Sequence, residues 1–447
     1  MVTRPNILYL HSHDTGRYIR PYGHATPTPH LQGLAEQGVL FRHAFCVNPT
    51  CSPSRAGLLT GRYAHNNGMT GLAHRGWRLD DYRQHILHTL RRAGYYSALF
   101  GTQHIIRPDQ VEQIGYDLAR QGGSGQERTS AAVAFLANSP PQPFFLSLGY
   151  DETHRPFPNA RESGGANGQD RRYVRPPAPV PDTPETRRDM AGFNASLRIL
   201  DSCYGRVLQA LDHAGLADNT LVICTTDHGI AFPGMKCTLT DHGLGVLLIV
   251  RGPGGFSGGR VVDALVSHLD LFPTICDLLE IELPAWLQGR SMMPLLRGEV
   301  DSIRDEVHAE VNYHAAYEPQ RCVRTRRFKY IRRFDGRETP VLANCDDGPS
   351  KDLWLRAGWR QRPQDQESLF DLIFDPNEAR NLADDPGPQA VLEEMRARLA
   401  RWMQGTDDPL LAGPVPAPPG AVVNDPDALS PGEATRPAEN LNRGERL

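Results

Sequence analysis

Three stretches of this chain share one grammar, a short apolar run that ends abruptly in imidazole or carboxylate side chains. They are NILYLHSHD (6–14), QPFFLSLGYDETH (142–154) and TLVICTTDH (220–228). A near-continuous apolar run marks a strand buried on both faces, because a half-buried strand would alternate with polar residues. Helical periodicity fills the intervals. TPHLQGLAEQG sets Leu31, Leu34 and Ala35 on one face and breaks at Gly38 before the strand VLFRHAF. QHILHTLRRAG breaks at Gly94 in the same way, and DSCYGRVLQALDHAG aligns Val207, Leu208 and Leu211 ahead of the third run. VLLIVRGPG adds a strand and SHLDLFPTICDLLEI an amphipathic helix. The alternation predicts an α/β fold, a large mixed and mainly parallel sheet sandwiched by helices. Its strand ends then bring His and Asp side chains to one edge, where open α/β sheets bind ligands.

From about Ser302 the pattern changes. EVHAEVNYHAAY, RCVRTRRFKYIRRF and ESLFDLIFDPNEARNL read as antiparallel strands, and AVLEEMRARLARWMQG as an amphipathic helix. We therefore expect a catalytic domain over residues 1–299, a smaller α+β subdomain with an antiparallel sheet over 300–405, and a Pro/Gly-rich irregular tail over 406–447. With 447 residues, 39% of them hydrophobic, the chain can bury a large core. A net charge of -4 without a basic run argues against nucleic-acid or anionic-membrane partners. No segment is apolar for long enough to span a bilayer. The opening ILYL is too short for a signal-peptide core, so the chain reads as cytoplasmic, or as the processed form of an exported one. The eight cysteines include no CxxC pair and read as reduced rather than as a disulfide framework. Oligomeric state is left open.

CSPSRAGLLTGR (51–62) is the densest stretch. A cysteine phosphatase would need arginine six positions after the cysteine, and residue 57 is Gly. Zinc binding would need close Cys or His partners, which the segment lacks. A buried structural cysteine is the plain alternative. A helix starting near Pro53 and capped by Gly61 would put Cys51 at its positive end, with Arg55 one turn in.

These residues resemble the C-x-P-S-R signature of the type I sulfatases, a formylglycine-dependent family within the alkaline phosphatase superfamily. RPNILYLHSHDTG, ATPTPHLQGLAEQGVLFRHAF, LQGRSMMPLLRGE and SLFDLIFDPNEARNLA resemble further family segments, and CSPSRAGLLTGRYAHNNGMTGL is similar to the heparan N-sulfatase (sulfamidase) branch. The resemblance implies that a maturation enzyme oxidises Cys51 to formylglycine, whose hydrated aldehyde is the nucleophile. It implies sulfated-sugar substrates and a divalent metal, Ca²⁺ in the family. Asp227-His228 in TTDHG matches the second metal pair, and His13-Asp14 stands where the family has two aspartates. The implied metal ligands are thus His13, Asp14, Asp227, His228 and the modified Cys51. Two imidazoles shift the preference toward Mn²⁺ or another transition metal. The implied catalytic residues are Cys51, Arg55, His104, His154 and Lys236. Thr102 departs from the family, which carries lysine there. Arg107 and Arg17 are the candidates to replace its charge, and His242 is a weaker candidate near Lys236. AHRGWRLDDY and NARESGGANGQDRRYVRPPAP are candidate substrate walls. Two other functions fit the same residues: a phosphonate monoester or phosphodiester hydrolase of the same superfamily, and a degenerate homologue that binds without catalysis.

Overall fold

The computed structural model describes residues 4–157 and 171–439. Eight strands form the main sheet: β1 (Asn6–Ser12), β2 (Val39–Phe45), β3 (Tyr96–Gly101), β4 (Leu118–Arg120), β5 (Phe144–Tyr150), β6 (Thr220–Thr226), β7 (Leu248–Arg251) and β8 (Arg260–Ser267). Their order is β4-β3-β5-β1-β6-β7-β2-β8. All neighbours run parallel except β7, which is antiparallel to β6 and β2. Every residue of β1, β5 and β6 is buried, as their continuous apolar runs require. Along β1 the pleat sends Ile7 and Tyr9 into one core layer and Leu8 and Leu10 into the other.

Helix α1 (Pro29–Gln37) buries Leu31, Leu34 and Ala35 as expected. The helix expected around Val207 starts earlier, at Pro184, and runs 30 residues to His213. Thr183 caps it and Pro184 opens its first turn, a strong start that lies well upstream of the apolar stripe.

Register sets up the site. His11 lies opposite both Gly149 and Thr225, and Gly101 opposite Gly149. Strands β3, β5, β1 and β6 therefore stop at one level, and the residues after them emerge side by side.

A second sheet is antiparallel, in the order β12-β11-β10-β9, from β9 (Glu306–Tyr313), β10 (Tyr317–Thr325), β11 (Phe328–Arg333) and β12 (Glu367–Asp371). The helix Gln389–Gly405 lays Leu392, Met395 and Leu399 on Val323, Tyr330 and Leu369 of this sheet. Beyond Asp407, where the sequence reads as irregular, β13 (Val422–Asn424) and β14 (Thr435–Pro437) pair antiparallel. Val415, Ala421 and Val423 are buried in the main core, so scattered apolar residues anchor a segment whose composition suggests none. Among the described residues no helix is long and apolar enough to cross a membrane.

Candidate active site

Helix α2 (Cys51–Thr60) lies beneath the strand ends, and all ten of its residues are buried. It begins at Cys51, two residues before the start near Pro53 that the sequence suggests. Asn48 explains the shift: its Oδ1 accepts from the backbone N–H and the hydroxyl of Thr50, which orients the chain into the first turn. Gly61 closes the helix in the left-handed conformation at φ 68°. A Cβ at Gly57 would come within 2.5 Å of Val47 Cγ2, so the position where a phosphatase needs arginine admits no side chain.

Arg55, one turn from Cys51, ties the helix to the sheet. Its Nη1 lies 2.6 Å from His11 Nδ1, and its Nη2 donates to Ser12 O (2.9 Å) and Asp227 Oδ2 (3.1 Å). Asp227 Oδ1 accepts from the Asp14 N–H at 2.9 Å, which joins the ends of β1 and β6. His13 Nδ1 stands 3.2 Å from Asp227 Oδ2.

His228 Nδ1 lies 3.0 Å from the Gly229 carbonyl, which fixes the proton on Nδ1. Its Nε2 lone pair then faces Cys51 Sγ (3.4 Å), Asp14 Oδ1 (3.4 Å) and Asp227 Oδ2 (3.7 Å). Lys236 Nζ bridges Asp14 Oδ2 and Asp346 Oδ2, each at 2.9 Å, and sits 3.5 Å from His154 Nε2. His154 Nδ1 lies 2.6 Å from the Arg155 carbonyl, which turns Nε2 toward Lys236 and Asp14.

The electrostatics follow from burial and charge together. Burial pushes the Cys51 thiol well above its ordinary range, against the pull of Lys236. Burial also opposes charge on Lys236, yet Asp14 and Asp346 hold its ammonium well above the usual lysine value. Burial would raise Asp227, but His228, Arg55 and His13 keep it ionised far below the carboxylate range. Burial and Arg55 bring His13 down to about 4, so its imidazole is neutral at pH 7.

Asp14 Oδ1 and His13 Nε2 are buried without a hydrogen-bond partner. Ligand atoms of His13, Asp14, Cys51 and His154 lie within 4.8 Å of one another, as do those of Asp14, Cys51, Asp227 and His228. Orphaned carboxylate oxygen and imidazole nitrogen in one cluster are the donor set a divalent cation takes, and these residues fit one.

Of the residues expected from sequence, His13, Asp14, Cys51, Arg55, His154, Asp227, His228 and Lys236 converge here. His104 stands at the edge, its ring 5.5 Å from that of His13. The substitutes for the missing lysine do not reach the site. Arg17 donates to the Ala44 carbonyl and lies over Phe45, and Arg107 is exposed beside Asp109. Thr102 itself donates to Asp151, which a bidentate Arg128 also holds. His242 faces Tyr18 and lines a cavity of about 730 Å³, and it also lines a second one, of about 480 Å³, together with Lys236. Most of the second candidate wall, residues 159–170, lies outside the described residues.

Sequence reasoning missed His11, His74 and Asp346. Strand alternation could have found His11, which shares a face with His13. His74 was visible only as part of a candidate wall, and nothing local marks Asp346.

Comparison with known proteins bears on the family and the fold. Residues 5–281 match the sulfatase family, and residues 235–352 match the C-terminal region of N-sulphoglucosamine sulphohydrolase. The human N-sulphoglucosamine sulphohydrolase is 32% identical, with 92% of each chain covered. A 2-O glycosaminoglycan sulfatase superposes with a TM-score of 0.70 at 22% identity, over 95% of this chain and 98% of that one. A phosphonate monoester hydrolase from Silicibacter pomeroyi also gives 0.70 at 22% identity, over 90% and 96%. Both likenesses concern the fold alone.

Proposed function

The chain belongs to the sulfatase family, and on that premise we propose that it hydrolyses the N-sulfate of a glucosamine-type sugar, using formylglycine made from Cys51. The observation that carries this reading is the position of Cys51. Its Sγ stands at the first turn of α2, 3.4 Å from His228 Nε2 and in one cluster with Asp14 and Asp227. As a thiol in that buried place it stays protonated and is a poor nucleophile. Converted to formylglycine, position 51 supplies a hydrated aldehyde oxygen aimed at sulfur. The C-x-P-S-R stretch is what a maturation enzyme would read before folding buries it. N-sulfate is favoured over O-sulfate by the human relative and by the C-terminal match.

Asp14, Asp227 and His228, with His13 beside them, would hold a divalent metal that supplies positive charge to a sulfuryl oxygen. Family membership implies calcium, and the imidazoles favour Mn²⁺ or a similar borderline metal. Arg55 keeps Asp227 ionised and fixes the end of β1 against α2. Lys236 carries its charge to the same wall and binds a second sulfuryl oxygen. Between Lys236 Nζ and His154 Nε2 one proton is held at 3.5 Å separation for the departing amine.

The test co-expresses the chain with a formylglycine-generating enzyme and measures intact mass. Turnover of N-sulfoglucosamine, an aryl sulfate and an aryl phosphonate monoester is then assayed in parallel. We expect mass loss at Cys51 and release of sulfate from N-sulfoglucosamine, both abolished in Cys51→Ala. An unmodified thiol, or turnover of the phosphonate alone, overturns the reading.

A further inference from the structure

The sulfatase reading leaves the neutral Thr102 unexplained where a lysine was expected, and neither Arg17 nor Arg107 fills the gap. What stands beside it is a pair of histidines. His74 Nδ1 lies 3.0 Å from His104 Nε2, and the two rings are nearly parallel, with centroids 5.3 Å apart and an interplanar angle of 9°, so they meet edge to edge. His74 belongs to the short turn Ala73–Arg75, closed by the left-handed Gly76. The backbone N–H of Ala73 donates to Ser52 Oγ, so the turn that carries His74 is fixed to the first turn of α2. His104 has the left-handed φ of 57°, an uncommon conformation for a non-glycine residue and one that the surroundings must enforce.

Two ring nitrogens 3.0 Å apart need one proton between them. If His74 Nδ1–H donates, His104 accepts at Nε2 and carries its own proton on Nδ1. That nitrogen is buried and has no protein partner, while its ring stands 5.5 Å from His13 within the catalytic cluster. A buried N–H without an acceptor costs free energy unless a ligand supplies one, and a sulfuryl oxygen is such an acceptor.

We propose that His74 is a positioning residue for catalysis: it fixes the His104 tautomer so that His104 Nδ1–H replaces the lysine as donor to the sulfuryl group. The inference rests on the sulfatase reading and adds the residue through which this chain works without that lysine. A neutral donor also grips the sulfuryl group less tightly in the ground state than an ammonium would. A bond made fully only in the transition state shows in kcat and leaves KM nearly unchanged.

The experiment uses the matured, full-length enzyme and its His74→Ala and His74→Asn variants. The asparagine side chain can place a donor where His74 Nδ1 stands. We expect His74→Ala to lower kcat about 10–100-fold with KM within about threefold, the range seen when a ligand-orienting partner is lost. His74→Asn should recover most of that loss. Imidazole ¹⁵N resonances of His104 should show a proton held on Nδ1 in the wild type and a tautomer mixture in His74→Ala. Wild-type kcat in His74→Ala, no recovery in His74→Asn, or unchanged His104 resonances would each overturn the proposal. An enzyme silent on every sulfate would count against the sulfatase reading instead, and the His104 resonances would still decide the tautomer.

Discussion

Two buried clusters in this protein are built from the same kinds of residue and behave in opposite ways. In the second sheet, Arg321 gives Nε and Nη2 to the two oxygens of Asp408 and Nη1 to Val311 O, Asn312 Oδ1 and Gln320 O. Glu310 accepts from His65 on one oxygen and Asn312 on the other. Every carboxylate oxygen there has a partner, and the one open atom among these side chains' acid and imidazole groups is His65 Nε2. At the ends of β1 and β6, Asp14 Oδ1, His13 Nε2 and the nearby His104 Nδ1 have none. Charge and burial are alike, so neither marks a site. The mark is unfinished hydrogen bonding at positions that face one another, because a closed network has nothing left to offer a ligand.

The contrast can be broken from either side. The largest effect should come from Arg321→Met, which leaves Asp408 and Glu310 buried without their cation. Unfolding free energy should fall by about 3–5 kcal/mol, measured by denaturant titration. If stability barely changes, the closed network is not what holds the second sheet in place.

Asp14→Asn should do the reverse. It removes the carboxylate with an unpartnered oxygen, so kcat/KM should fall at least ~10²–10³-fold. The melting temperature of the metal-stripped protein should stay level or rise, since functional groups are held at some cost to stability. A large loss of stability in that protein would mean Asp14 belongs to the closed kind of cluster.

Thr102→Lys sharpens the comparison at the edge of the site. The new ammonium can take over donor duty, so His74→Ala should cost about tenfold less in this background than in the wild type, as coupled residues do in a double-mutant cycle. Additive losses would say that the two positions act apart.

The smallest effect is a pH dependence. Burial opposes ionisation of Glu310, yet His65 and Arg321 carry it from the ordinary 4.5 down to about 2. A carboxylate depressed by folding contributes stability above its unfolded pKa and loses it as pH falls through the folded one. Acid should therefore weaken the protein between about pH 4.5 and 2, and Glu310→Gln should flatten that part of the curve. An unchanged acid limb in the variant would remove Glu310 from the account.

Much of this was legible in the chain before any coordinates. Continuous apolar runs ending in His and Asp gave the parallel strands and the edge at which they stop, because burial on both faces leaves no room for alternation. The C-x-P-S-R stretch marked Cys51 and Arg55, although the helix starts two residues earlier than Pro53 suggests, since Asn48 organises the preceding turn through a side chain with no strong local signature. The segment after Asp407 misled because composition reports average polarity, whereas Val415, Ala421 and Val423 act singly by where they land.

By itself the sequence determined the strand and helix periodicities, the residue types delivered to the sheet edge and the stretch that resembles a modification signature. These are local properties, fixed by the spacing of side chains along one segment. Tertiary structure alone decided that Asp346 meets Lys236, that His74 meets His104, and that Arg17 turns away from the site to Phe45. Each depends on segments 28 to 110 positions apart in the chain meeting in space, and no periodicity encodes which distant partner a polar atom will find. The same reason leaves Asp14 Oδ1 open and Asp408 closed.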